Sequence, residues 1–371
     1  MPAWTERLER AAARPGALSR DELARLAALR PGPERDAVLR AAYGVKLRQT
    51  GPVVYLRGLV EIGNRCSKNC LYCGLRRDNA RIHRYQIDED GVVRMARRAW
   101  DLRYGSVVLQ SGEIASPANT GRIERIVRAI RAFAPEEAFA IVLSLGEQAE
   151  ETYRRWKEAG ATRYLLRIET SNPALYRTLH PDGGHDWAAR RDCLRALRRL
   201  GYQTGSGVMI GLPGQTAEDL ADDLLFFRDE EIDMIGMGPF LPHPDTPLGS
   251  VRVDETRQLE LGVNLVAALR LFLHDRNIAA TTALQNLAPD GREQALLAGA
   301  NVMMPNITDM PFRRDYQLYQ KPCVDEISPL DDGSGLSGIE KRVRSIGESI
   351  AWDTPGTPPH FLRRTAAAAT P

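Results

Sequence analysis

Short apolar runs alternate with amphipathic segments from residue 52 to about residue 322, and this repeat strongly restricts how the chain can fold. The intervening segments, such as 150–160 and 187–201, carry apolar residues at helical spacing, and several end in glycine, a common helix stop. The eight runs are VVYLRGLVEI (53–62), SVVLQSG (106–112), FAIVLSLG (139–146), RYLLRIET (163–170), GSGVMIGL (205–212), MIGMGPFL (234–241), IAATTAL (278–284) and ANVMMP (300–305). Eight βα units predict an α/β fold, a (β/α)8 TIM-type barrel whose active site lies at the carboxyl ends of the strands. A doubly wound open sheet gives a similar pattern and is the alternative.

The chain on either side of this repeat has a different pattern. Residues 1–50 show helical spacing without any catalytic constellation, so we expect an N-terminal helical cap. The barrel is expected to occupy residues 51–322. Residues 323–371 are expected to form a C-terminal extension with one short helix and a disordered Pro/Thr/Ala tail from residue 354.

Charge and composition exclude several classes of function. The chain has 50 basic and 48 acidic residues without long runs of either sign, so a nucleic-acid partner is not expected. It contains no apolar stretch of the roughly 18 residues that a membrane helix needs, and its N-terminus lacks a signal-peptide pattern. Three of the five cysteines lie within eight residues, which does not resemble a disulfide framework. We therefore expect a cytoplasmic protein.

The strongest local signal is the cysteine triad Cys66, Cys70 and Cys73, directly after the first apolar run. Thiolates are the ligands of iron–sulfur clusters, and this spacing lets one loop wrap one cluster. A structural zinc site would need a fourth ligand nearby, and an electron-carrying ferredoxin a fourth cysteine. Cys193 and Cys323 lack ligand spacing to the triad, and Cys193 falls in an amphipathic helix. The triad therefore predicts a [4Fe–4S] cluster with one iron left open for chemistry.

The spacing CxxxCxxC, with aromatic Tyr72 before the last cysteine, resembles the radical S-adenosylmethionine superfamily. The resemblance implies that S-adenosylmethionine chelates the open iron and is cleaved to a 5′-deoxyadenosyl radical. It also implies a glycine-containing motif for the amino group of the cofactor, a strand-four glutamate for its ribose or ammonium, and an arginine for its carboxylate. The positions that match these roles are Tyr72, Ser111, Gly112, Glu113, Ser144, Glu169, Arg190, Met209 and Ile210.

A longer set of motifs resembles the HydE-type maturases of [FeFe]-hydrogenase. The motifs are CSKNCLYCGLRRDN (66–79), LQSGE (109–113), LSLGE (143–147), RYLLRIETSNP (163–173), GLPGQT (211–216), GPFLPHPDTPL (238–248), ATTA (280–283), GANVMMPN (299–306) and YQLY (316–319). The resemblance implies a radical reaction on a small cysteine-bound iron complex, made by a tyrosine-cleaving maturase, toward the diiron active site (the H-cluster). It further implies a scaffold GTPase as partner and a reductant such as ferredoxin or flavodoxin. Positions that match the substrate cavity are Arg167, Thr281, Thr282, Met304, Tyr316 and Tyr319.

Two other functions remain open. The same architecture occurs in the methylornithine-forming mutase and in the sulfur-inserting biotin synthase, and Ile168 stands where HydE-type chains often carry histidine. A different radical reaction is therefore one alternative. A non-catalytic iron–sulfur binding module is the other, although the complete set of βα units argues against it.

Overall fold

Parallel β-strands form the centre of the fold in the computed structural model, which describes residues 2–319, 327–328 and 334–368. The strands are β1 (Val53–Leu56), β2 (Gly58–Gly63), β3 (Ser106–Ser111), β4 (Ala140–Ser144), β5 (Arg163–Leu165), β6 (Gln203–Ser206), β7 (Met209–Ile210), β8 (Met234–Ile235), β9 (Gly238–Pro239), β10 (Asn277–Ile278), β11 (Val302–Met303) and β12 (Ser349–Ile350). Seven of them form one sheet in the order β10-β8-β6-β5-β4-β3-β2.

The two edges of this sheet are joined by the segment around β11. A parallel bridge pairs Ala279 with Val302, and another pairs Leu59 with Asn306. Strand β11 also pairs in parallel with β1, which continues into β2. The strands therefore close into a ring, and the predicted (β/α)8 barrel is confirmed over the open sheet. The runs 205–212 and 234–241 are each divided, because β7 and β9 leave the ring and pair with each other.

Helices surround the ring. They are α1 (Pro2–Ala13), α2 (Arg20–Ala28), α3 (Pro33–Thr50), α4 (Glu89–Asp101), α5 (Pro117–Arg131), α6 (Glu150–Ala159), α7 (Pro173–Leu179), α8 (Trp187–Arg199), α9 (Ala217–Asp229), α10 (Glu255–Phe272), α11 (Thr282–Leu287), α12 (Gly291–Leu297), α13 (Met310–Asp315), α14 (Gly338–Ser345) and α15 (Pro359–Ala368). The N-terminal helix α2 packs on α9 and α10, and α3 packs on α10. Among the described residues, no helix combines the length and apolar character that crossing a membrane requires.

Alternating side chains on the strands separate two hydrophobic regions. On β3, Val107 and Leu109 belong to the main core between strands and helices. Val108 belongs to a smaller cluster with Val142 and Met234, against which Met304 packs. Because successive side chains of a strand point to opposite faces, this smaller cluster fills the barrel interior.

The C-terminal extension departs from the expectation at its end. Helix α15 lies where a disordered tail is expected, so that prediction is wrong for residues 359–368. The helix is held by buried Asp233, which contacts His360 Nδ1 at 2.7 Å and Arg364 Nη2 at 2.8 Å. A Pro/Thr/Ala composition does not reveal these contacts, because Asp233 lies more than a hundred residues earlier.

Candidate active site at the carboxyl end of the barrel

The cysteine triad lies on the loop that follows β2, at the carboxyl end of the barrel. All three thiols are half-buried. The amides of Lys68 and Glu113 point at Cys66 Sγ from 3.4 and 3.3 Å. Cys70 Sγ lies 3.3 Å from Nε2 of His185. Donors directed at sulfur favour the thiolate form that a cluster requires.

The end of β3 supports this loop through a close backbone approach. A Cβ atom on Gly112 would lie 2.3 Å from the carbonyl oxygen of Arg65 and 2.8 Å from Cβ of Cys66. Neither distance is compatible with a side chain. Glycine is therefore required at residue 112 because the cysteine loop rests directly on it.

Burial controls the protonation of the thiols. It raises the pKa of Cys66, against the opposing effect of the two amide donors. Burial also raises the pKa of Cys70 to about 12, with a further contribution from Cys66, and it raises the pKa of Cys73 well above its ordinary value, with contributions from Cys70 and Cys66. Three thiolates crowded in this way need a bound cation to be stable. The donor set, three soft sulfurs with directed amides, fits an iron–sulfur cluster.

A network of four charged side chains surrounds the triad. Lys68 Nζ lies 3.1 Å from Glu113 and 3.4 Å from Glu147, and it also donates to the carbonyl of Gly184. Arg190 Nε lies 2.9 Å from Glu147, and its Nη2 lies 3.7 Å from Glu113. The two cations and two carboxylates balance, and all four side chains are largely buried. The network ties the cysteine loop to the ends of β3 and β4 and to α8.

The network shows how the structure uses two predicted cofactor residues. Burial raises the pKa of Glu113, although Arg190 and Lys68 oppose this shift. The Glu113 carboxylate also accepts the amide of Glu147 at 2.8 Å. Arg190 further donates to the hydroxyl of Tyr176 at 3.0 Å and to the carbonyl of Arg167 at 3.3 Å. A direct contact of Arg190 with a cofactor carboxylate stays a prediction.

Glu169 and Arg167 stand just beyond the end of β5. Glu169 has φ of 66°, a left-handed conformation that is uncommon for glutamate and costs about 1–3 kcal/mol. Its amide donates to the carbonyl of Gly207, and its own carbonyl accepts the amide of Met209. Arg167 Nη2 lies 3.0 Å from the Glu169 carboxylate and donates to the carbonyl of Val208 at 2.9 Å. Strained residues cluster at functional sites, which supports Glu169 as a candidate functional residue.

An aromatic wall stands beside Cys70. It consists of Tyr72, Tyr176, His180 and His185. The hydroxyl of Tyr72 lies 3.2 Å from His180 Nε2, and the ring centroids of His180 and His185 are 4.4 Å apart. Cys70, His180 and His185 also bring one ligand atom each to within 4.8 Å of one another.

The remaining predicted cofactor positions are divided between two regions. Met209 packs in the small cluster to which Tyr72 also contributes, beside the cysteine loop. Ile210 belongs to the main core. Ser111 and Ser144 end the adjacent strands β3 and β4, where Ser111 Oγ donates to the carbonyl of Gly112. Met209 and Ser111 are therefore near the triad, whereas Ile210 serves the core.

The predicted substrate residues have varied surroundings. Tyr316 is buried, and its hydroxyl accepts from Gln110 Nε2 at 3.0 Å, whereas Tyr319 is half-buried. Thr281 precedes α11 and donates its hydroxyl to the carbonyl of Met237 at 3.2 Å. Thr282 begins α11 and accepts from Arg292 at 2.7 Å. Residues 282–284 of the seventh apolar run are therefore helical and not extended.

Two further expectations concern single residues. Ile168 is fully buried in the main core, three residues beyond the end of β5, and is not part of the cluster of the barrel interior. Cys193 lies on α8, where its Sγ is 3.8 Å from the carbonyl oxygen of Gln148, and its exclusion from the cluster ligands stays a prediction. Cys323 is outside the described residues.

Sequence reasoning did not single out Lys68, Glu147, Tyr176, His180 or His185. Lys68 sits inside the triad and Glu147 ends the LSLGE motif, so both were visible as charges next to a predicted site. The two histidines had no such signal, because His185 and Cys70 are 115 residues apart in the sequence and come together only in the fold.

Comparisons with known proteins show the family of the chain. Residues 60–227 match the Radical SAM superfamily. The chain is 44% identical over 323 residues to the [FeFe] hydrogenase maturase subunit HydE of Thermotoga maritima, covering 86% of this chain and 88% of that protein. It is 27% identical over 299 residues to a biotin synthase of Picosynechococcus, covering 77% and 78%. The crystal structure of methylornithine synthase matches the fold with a TM-score of 0.77 at 22% identity, covering 93% and 97%.

Proposed function

The chain belongs to the HydE family of the radical S-adenosylmethionine superfamily, and from this premise we propose that it is an enzyme of [FeFe]-hydrogenase maturation. Its role is in the assembly of the H-cluster, the diiron active site of the hydrogenase. The observation that carries the proposal is the half-buried cysteine triad, set at the carboxyl end of a closed barrel within a balanced charge network.

The enzyme uses a [4Fe–4S] cluster and S-adenosylmethionine, as its superfamily does. Cys66, Cys70 and Cys73 would hold the cluster. When bound, the two cofactors supply a reducing electron and a 5′-deoxyadenosyl radical. The chain's own groups position these cofactors.

The proposed positioning follows from the contacts around the triad. Lys68 and Arg190, with their two glutamates, hold the cysteine loop against β3 and β4. Glu169 is fixed by three backbone and side-chain partners, so its carboxylate can bind the ammonium or ribose of S-adenosylmethionine without reorganising. Tyr72 and Met209 supply an apolar surface suited to the adenine.

The substrate that we propose is a small cysteine-bound iron complex, received from a tyrosine-cleaving maturase and passed toward a scaffold GTPase. Arg167 offers a cation for a carboxylate or cyanide group of this complex. Tyr316 and Thr282 offer hydroxyls that orient it, and Met304 lies against the cluster of the barrel interior. Tyr319 and Thr281 complete the proposed set. A ferredoxin- or flavodoxin-like reductant would supply the electron.

Anaerobic reconstitution tests the proposal. The wild type should take up about four irons per chain, and added S-adenosylmethionine should change the EPR signal of the reduced cluster. Cys70→Ala should lose both properties. Cys193→Ser, a matched cysteine outside the triad, should keep them. Full iron uptake by Cys70→Ala would contradict the proposed site.

A further inference from the structure

His185 makes a contact that the proposed function does not use. Its Nε2 atom lies 3.3 Å from Cys70 Sγ, within the distance of a hydrogen bond to sulfur. We propose that His185 donates this hydrogen bond to the Cys70 thiolate of the bound cluster and thereby raises the reduction potential of the cluster. The inference rests on the proposed cluster site and concerns how this chain tunes it.

The neighbours of His185 determine which ring nitrogen carries the proton. Arg190 Nε donates to the hydroxyl of Tyr176 at 3.0 Å, so that this oxygen already accepts one hydrogen bond. The hydroxyl proton of Tyr176 is then directed toward His185 Nδ1, which lies 3.5 Å away. With Nδ1 as acceptor, the neutral ring carries its proton on Nε2, the nitrogen that faces Cys70.

The packing of the ring maintains this orientation. The His180 ring packs against His185 with a centroid distance of 4.4 Å and an interplanar angle of 45°, and Tyr176 meets the His185 ring edge-on at 6.3 Å. His180 is itself fixed, because its Nδ1 donates to the carbonyl of Tyr176 at 2.8 Å. The loop that carries His185 is also tied to the triad, since Lys68 donates to the carbonyl of Gly184.

A second use of the same atoms is a separate metal site, because Cys70, His180 and His185 bring three ligand atoms within 4.8 Å. A metal ligand needs a lone pair on Nε2, whereas the Arg190–Tyr176 chain favours a proton there. We therefore favour the donor role, and metal binding becomes an outcome of the test.

The expected effect has a definite sign. A reduced cluster carries one more negative charge than an oxidised one, so a donor to a ligand sulfur stabilises the reduced form more. Removing the donor should lower the equilibrium constant for reduction about tenfold, which corresponds to about 59 mV for a one-electron couple.

EPR-monitored redox titration of reconstituted protein with full iron content tests the inference. His185→Ala should lower the potential by the amount given above, and His185→Gln, which keeps an N–H donor, should restore most of it. Tyr176→Phe should give an intermediate shift, because it removes the hydroxyl that selects the tautomer. His83→Ala is the matched control, since His83 is exposed and contacts Asp315. It should leave the potential unchanged.

Several results would overturn the inference. An unchanged potential in His185→Ala, or a Gln variant that behaves like the Ala variant, would exclude the donor role. Iron loss from both variants alike would show that His185 retains the cluster and does not tune it. The metal site would be favoured by two results together. The cluster-free wild type would bind Zn²⁺ stoichiometrically and His185→Ala would not, while the reduction potential of the reconstituted His185→Ala would equal that of the wild type. Failure of the wild type to take up iron would instead refute the proposed function itself.

Discussion

Replacing Gly112 with alanine tests the positioning of the cysteine loop with a single methyl group. The added Cβ would lie 2.3 Å from the carbonyl oxygen of Arg65, whereas ordinary contacts begin at 3.4 Å. The atoms to be displaced are backbone atoms of Arg65 and Cβ of Cys66, not the flexible end of a side chain. The loop must therefore move away from β3 by about 1 Å, taking Cys66 with it.

Two magnitudes follow from this displacement. Overpacking of this kind costs about 1–3 kcal/mol in the free energy of unfolding. A misplacement of about 1 Å near reacting groups costs on the order of a hundredfold in rate. We therefore expect Gly112→Ala to fold, to lose about 1–3 kcal/mol of stability, and to cleave S-adenosylmethionine about a hundredfold more slowly.

The assay compares Gly112→Ala with Gly121→Ala, which lies inside α5. There an added Cβ meets only the end of the Arg125 side chain, at 3.4 Å. Because alanine is the better helix former, this control should gain about 1 kcal/mol and keep its activity. Iron content, urea unfolding of the cluster-free chain and the cleavage rate are measured for both variants. Full iron content and an unchanged rate in Gly112→Ala would refute the steric argument.

Two further predictions concern other parts of the chain. Burial raises the pKa of the Asp223 carboxyl from its ordinary value to about 7. Between these two pKa values the carboxyl is protonated in the folded chain and ionised in the unfolded chain. The free energy of unfolding therefore falls as the pH rises toward 7. Between pH 5 and pH 8 the wild type should lose about 2–3 kcal/mol relative to Asp223→Asn in urea unfolding, and parallel stability curves would contradict this. Glu169→Gln should weaken S-adenosylmethionine binding about tenfold to a hundredfold, whereas Tyr316→Phe should leave that affinity intact but lower product yield per cofactor cleaved. Equal losses of cofactor affinity in both variants, measured by equilibrium binding, would show that the roles assigned to Glu169 and Tyr316 are wrong.

The barrel was predictable because its signal is local. Each βα unit repeats the same pattern of an apolar run and an amphipathic segment, so eight runs imply a ring of eight strands. The residues at which strands end and helices begin were harder to predict. The run at 278–284 begins with Ile278, the last residue of β10, and its last three residues belong to α11, which begins at Thr282. Apolar content alone does not separate a buried strand from a buried helix.

The site was predictable only where its residues are close in the sequence. The triad and Gly112 carry their own signals, through thiol spacing and through a glycine at a strand end. The charge network depends on contacts such as Lys68 with Glu147, 79 residues apart. The burial of Ile168 in the main core also could not be predicted from the sequence. The short strand β5 ends three residues before Ile168, so the alternation of side chains along a strand does not apply there. Ile168 therefore lies outside the cluster of the barrel interior.

A radical reaction on a cysteine-bound iron complex can be tested by supplying that complex to the enzyme. The reconstituted enzyme is incubated anaerobically with S-adenosylmethionine, a reductant and the complex, and the adenosyl product is identified by mass spectrometry. We predict cleavage that depends on the complex, an adenosyl product that accompanies its conversion, and neither in Cys70→Ala. Cleavage that does not depend on the complex but responds to lysine or dethiobiotin would refute this role and assign the barrel to a different radical reaction.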